Sequence, residues 1–107
     1  MSDLRLVLTT CGDRKVADRL ATALVERRLA ACINVLPEVR STYRWDGKIE
    51  RDDEVLVLIK TQEAKLTAID ETIRAISGYE LPELIAVDIS GGSPKYLAWV
   101  LDAMAGE

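Results

Sequence analysis

Histidine is absent from the 107 residues, which removes imidazole as a metal ligand, as a general base and as a charge switch near neutral pH. Cysteine is scarce: Cys11 and Cys32 lie far apart and form no CxxC or zinc spacing, so a reduced, disulfide-free chain is expected. No apolar run exceeds the length of a strand, as in Val55 to Ile59, and Met1-Ser2-Asp3-Leu4-Arg5 has no signal-peptide core. Those absences point away from a membrane and toward the cytoplasm. Basic residues are outnumbered, 14 against 18 acidic, with no basic stripe, so nucleic acid is not an expected partner. Ser/His and Cys/His pairs, a phosphate loop, a dinucleotide fingerprint and metal-ligand spacing are all missing, and an enzyme is not expected.

What is present is organised by a long hairpin from Ala30 to Thr61. Its tip is Asp46-Gly47, a dipeptide suited to a two-residue turn because both central positions need positive φ. That turn sets Trp45 opposite Lys48, Tyr43 opposite Glu50, Thr42 opposite Arg51, Ser41 opposite Asp52 and Arg40 opposite Asp53, with opposite charges meeting in the last pair. Pro37 cannot donate to the ladder and marks a bulge or bend. From Ala30 to Asp46 an extended strand reaches ~50 Å, whereas a compact domain of this size is roughly 35 Å across. The hairpin should overhang its own domain, and a second chain should cover Tyr43 and Trp45. The alternative is a hairpin curled back onto its own subunit.

The remaining elements follow from periodicity. Leu4, Leu6 and Leu8 alternate with Arg5, Val7 and Thr9 in a first strand. Asp13 is placed to cap a helix within Arg14 to Arg28, with Val16, Leu20, Ala23 and Leu24 on one face. After the hairpin, Leu66, Ile69, Ile73 and Ile76 mark a second helix ended by Gly78, and Ile85, Val87 and Ile89 a last strand. Ser93 and Pro94 open a third helix with one stripe of Leu97, Val100 or Leu101, and Met104, and a second of Tyr96 and Trp99. Two stripes imply two packing partners, which adds Trp99 to the candidate oligomer surface. The order describes one α+β domain over 1–107, a ferredoxin-like βαββαβ sandwich with both main helices on one sheet face and an extra C-terminal helix. The apolar base of the hairpin, Leu29 to Val35 and Val55 to Ile59, needs cover on both faces.

Few residues offer chemistry. Cys32, Cys11 and Met104 are soft donors, and Cys32 is the candidate ligand for copper, although a buried structural role is the commoner fate of such a thiol. Cys11, placed in a loop beside a helix N-terminus, is a candidate for a more acidic thiol. Asp52, Asp53 and Glu54 could bind another divalent cation or form a solvated charged face. Tyr79, Glu80 and Glu83 could line a ligand cleft together with Lys60, or simply solvate a loop. Gly91-Gly92-Ser93-Pro94 precedes a helix N-terminus and offers only a weak anion signal.

The strings Leu6-Val7-Leu8-Thr9-Thr10-Cys11, Leu29-Ala30-Ala31-Cys32-Ile33-Asn34-Val35-Leu36-Pro37 and Tyr43-Arg44-Trp45-Asp46-Gly47-Lys48-Ile49 are followed by Glu54, Leu58-Ile59-Lys60-Thr61, Tyr79-Glu80-Leu81-Pro82-Glu83-Leu84-Ile85 and Gly92-Ser93-Pro94-Lys95-Tyr96-Leu97-Ala98-Trp99. Together and in this order they resemble the CutA family of divalent-cation tolerance proteins. The resemblance implies a homotrimer of ferredoxin-like subunits, a link to tolerance of copper and other divalent metals, and copper binding in some members. It also implies an architecture similar to PII signalling proteins, hence an alternative reading as a small-molecule sensor or trimeric scaffold. Cys32 matches the family's cysteine in the Ala-Ala-Cys string. Ser77-Gly78 stands where many members have His-Pro, so a copper site using that histidine cannot form here.

Overall fold

The computed structural model describes residues 3–106, so Met1, Ser2 and Glu107, and with them part of the N-terminal reading above, lie outside it. The elements in order are β1 (Leu4–Cys11), α1 (Arg14–Glu26), β2 (Cys32–Trp45), β3 (Lys48–Gln62), a single 3-10 turn (Glu63–Lys65), α2 (Leu66–Ser77), β4 (Ile85–Asp88) and α3 (Pro94–Met104). One antiparallel sheet runs β2-β3-β1-β4, which is the ferredoxin-like α+β arrangement expected.

The tip has the geometry its residues demand, with φ of 52° at Asp46 and 77° at Gly47. From Trp45 opposite Lys48 to Arg40 opposite Asp53 the register is the one anticipated, and it shifts between Leu36 and Val39, around Pro37. β2 starts at Cys32 rather than Ala30 because the chain is still turning out of α1 there: Arg28 adopts a φ of 58°, and the Leu29 and Ala30 amides donate back to the Leu24 carbonyl at 2.9 and 3.3 Å. β1 stops at Cys11, opposite Val55, while β2 and β3 continue without it for the rest of the hairpin. Residues 42–53 are all exposed, and the molecule measures 45 × 25 × 23 Å, so the hairpin projects instead of curling back.

The alternation of β3 divides the sheet into two faces. Val55, Val57 and Ile59 turn inward with Val7 and Cys11 against Leu20 and Leu24 of α1 and Ile69 and Ile73 of α2. The inward set of β1 is therefore Val7, Thr9 and Cys11, while Leu6 and Leu8 share the opposite face with Leu58 and Lys60. In α1, Ala17 joins Leu20 and Leu24 as the fully covered positions, and Val16 sits at their margin. A second core lies under α3, where Val100 and Met104 meet Leu4 and Ala31, with Leu97 and Ile89 beside them. Val100 rather than Leu101 completes that stripe. The starts of α1 and α3 are capped as their sequences indicate, whereas α2 has no side-chain cap: Asp13 accepts from the Val16 amide at 2.9 Å and Ser93 from the Tyr96 amide at 3.3 Å.

The sheet face opposite α1 and α2, which α3 closes only at its Leu4 end, is apolar and only partly covered. Leu6, Leu8, Leu56 and Leu58 floor it, and Leu36, Ile85 and Val87 stand 38%, 52% and 47% exposed around them.

Candidate functional site

Beyond the end of β1, the even-numbered residues of β3 change from leucine to acid. Glu50, Asp52 and Glu54 follow Leu56 on one pleat face, and across the ladder they meet Tyr43, Ser41 and Val39. The other wall is the segment after α2. Gly78, at φ 78°, turns the chain out of the helix, the Tyr79 amide donates to Ser77 Oγ at 3.2 Å, and Thr9 Oγ1 donates to the Glu83 carbonyl at 2.6 Å. These contacts anchor Tyr79, Glu80, Leu81 and Glu83 against the free flank of the hairpin. The result is a cleft of about 700 Å³, also lined by Thr10, Tyr43, Arg44 and Trp45.

Carboxylates dominate its electrostatics. Tyr79 Oη donates to Glu54 Oε2 at 2.6 Å, and Tyr43 Oη donates to Asp52. Burial, then the bond to Glu54, raises the Tyr79 phenol well above its ordinary range, while the bond to Asp52 pushes Tyr43 up to about 12. Burial and the neighbouring Glu54 raise the Glu83 carboxyl. Glu50, Asp52, Glu54, Glu80 and Glu83 have no ion pair with a described residue. Of the adjacent acidic run only Asp53, on the opposite pleat face, is paired, with Arg40 at 3.9 Å.

The structure thus brings Tyr79, Glu80 and Glu83 together as anticipated but leaves Lys60 out. Lys60 sits six residues along β3 from Glu54, ~20 Å away at the strand rise. There its ammonium donates to Asn34 Oδ1 and lies 3.9 Å from Cys32 Sγ, because Lys60 and Cys32 are directly paired. The residues missed by sequence reasoning are Glu50, Asp52, Glu54, Tyr43 and Trp45 as cleft lining. Their signal was the period of two, which puts the acids of β3 on the pleat face of Tyr43 and Trp45 once the tip register is known.

The residues around Cys32 do not fit a metal centre. Its Sγ accepts from a cation, the Lys60 ammonium, and among the described residues no three His, Cys, Asp or Glu side chains gather closely enough to hold an ion. Cys11 is not in a loop: it ends β1 fully buried, and burial, with Asp13 and Glu54 nearby, pushes its thiol up to about 11, opposite to an activated cysteine. Tyr43 and Trp45 are each 40% exposed. Trp99 is 47% exposed and stacks on Tyr96 with ring centroids 5.6 Å apart.

Comparison with known proteins places this architecture. Residues 5–103 match the family described as CutA1 divalent ion tolerance protein. Protein CutA of Mus musculus is 50% identical over 91 residues, covering 85% of this chain and 51% of the mouse protein, so the chain spans about half the length of that relative. The divalent-cation tolerance protein CutA of Thermus thermophilus is 41% identical over 95 residues, covering 89% of this chain and 92% of its own. Among solved structures, CutA1 from Oryza sativa superposes with a TM-score of 0.93 at 37% identity, covering 99% of this chain and 97% of that one. The chain belongs to the CutA1 family of divalent ion tolerance proteins.

Proposed function

We propose that this chain works as a cytoplasmic homotrimer in tolerance of, or response to, divalent metal ions, and that it catalyses no reaction. The observation that carries the assembly is the part-covered sheet face opposite α1 and α2, where Leu36, Ile85 and Val87 surround a leucine floor that water would otherwise meet. The sheet also has two unlike free edges, the fourteen-residue β2 and the four-residue β4. Unlike edges that meet head to tail generate a closed ring where the rotation between copies closes on itself, which a trimer requires. Tyr43, Trp45 and Trp99 are large aromatic side chains left 40–47% exposed, available for such a neighbour to cover. Light scattering should return three chain masses; a monomer at micromolar concentration would reject the assembly. Cells lacking the chain should grow less well in elevated copper, zinc or cobalt and recover when it is restored, and unchanged growth would reject the tolerance role.

Copper held by Cys32, which the family resemblance raises, is not supported by the donor set around that thiol. A Cu(I) competition titration on the reduced protein should show the native chain binding no tighter than an ordinary exposed thiol. High affinity abolished by Cys32→Ser would restore copper as a ligand. The cleft between the hairpin and Tyr79–Glu83 favours a second reading, a sensor or binding module for a small molecule.

A further inference from the structure

We propose that α3 is a strap that opens and closes on the sheet, and that Arg28, just past the end of α1, is the clasp that holds it shut. The contact lies within one chain and does not rest on the assembly proposed above. The strap nevertheless closes the Leu4 end of the face on which that reading seats a neighbour, so the clasp governs how much of that face is presented.

The backbone singles out Arg28. Its amide donates to the Val25 carbonyl at 3.1 Å and the Leu29 amide to the Leu24 carbonyl at 2.9 Å, the pair of bonds that ends a helix on a left-handed residue. Such a position favours glycine, because a side chain there crowds the following carbonyl. α2 obeys that preference with Gly78 at φ 78°, whereas α1 places an arginine at φ 58°. Asp46, the other non-glycine at positive φ among the described residues, is explained by the hairpin tip. A long side chain kept on a disfavoured backbone points to a task for that side chain.

α3 supplies the task. The last carbonyls of a helix have no partner within it, and a cation placed there also meets the negative end of the helix dipole. The last turn of α3 has no basic residue of its own. The Ala105 amide takes the Asp102 carbonyl at 3.2 Å, and Arg28 Nη1 donates to the next one, Ala103, at 3.3 Å. A residue 75 positions away in the chain therefore caps this helix.

α3 is also a separate layer. Its buried side chains, Val100 and Met104, pack on Leu4 and Ala31 and take no part in the core under α1 and α2. Thr61 Oγ1 donates to Met104 Sδ at 3.7 Å, a bond to a weak acceptor. With so small a core beneath it, the helix can leave the sheet while the body stays folded, and the exposed contact between charge and carbonyl sets how often it does.

The test is amide hydrogen exchange on the native protein, read over residues 97–105, with the oligomeric mass measured in the same buffer. Arg28→Gly should quicken exchange at the end of α3 about fivefold, the upper range of what a charge contributes at an exposed helix terminus. In the same variant the Leu29 and Ala30 amides should hold or slow, because glycine relieves the left-handed backbone that their bonds to Leu24 depend on. Arg28→Lys keeps both the charge and the backbone cost, and should quicken α3 less. Molar salt, which shortens the Debye length to about 3 Å, should quicken α3 in the native chain and leave Arg28→Gly unmoved. Equal exchange of α3 in the native chain and Arg28→Gly, quickening spread evenly through the subunit, or quickening that appears only with a fall in mass would overturn the proposal.

Discussion

Glu83 shows how a single position can work against the fold at neutral pH. Its carboxyl is raised by partial burial and by Glu54, so the folded state holds the proton more tightly than the unfolded chain. Its favourable contribution is complete below the unfolded pKa and is lost as pH rises through the higher folded value. Glu83→Gln keeps the neutral form at every pH. Its melting temperature should therefore exceed the native value at pH 8, and the gain should vanish near pH 3.5; an equal gain at both would assign it to something other than the charge. Tyr79 has the complementary role, since its phenol satisfies Glu54 from the opposite wall.

Among the elements, the hairpin depends most on local chemistry. Its tip requires left-handed backbone at two successive residues, and the Cβ built at Gly47 meets nothing within 4 Å, so substitution there meets only backbone strain. Gly47→Ala should cost about 1 kcal/mol in chemical denaturation. Amide exchange should quicken between residues 40 and 53 while β1 stays protected, and uniform quickening would show that tip and body unfold together. α2 ends at Gly78 for the same backbone reason, and that turn also aims Tyr79 at Glu54.

The whole molecule is elongated because two of its strands outrun the third. β1 leaves the sheet at Cys11, so everything on β3 before Val55 depends on β2 alone and on whatever lies against it. Trp45 stands in that overhang without a core of its own. Trp45→Ala should weaken assembly more than it weakens the subunit, by ~3 kcal/mol if a neighbour buries the ring. Sedimentation at falling concentration checks it: a variant that dissociates no more readily than the native protein would place Trp45 outside the interface.

Residues 46 and 47 determined the pairing of the distal hairpin, from Trp45 opposite Lys48 to Arg40 opposite Asp53, because a two-residue turn leaves one register and the side-chain period then assigns the faces out to the bulge. Periodicity and caps likewise determined the order of strands and helices, and Pro37 the bulge, since each is an interaction between near neighbours in the chain. What only the tertiary structure decided is which distant segments meet. The segment Tyr79–Glu83 reads as loop in isolation; where it lies depends on β1 ending at Cys11 and on Thr9 holding the Glu83 carbonyl. Lys60 was joined to the cleft by chemistry and removed from it by geometry, because along a strand six residues are a fixed ~20 Å whatever the charges favour.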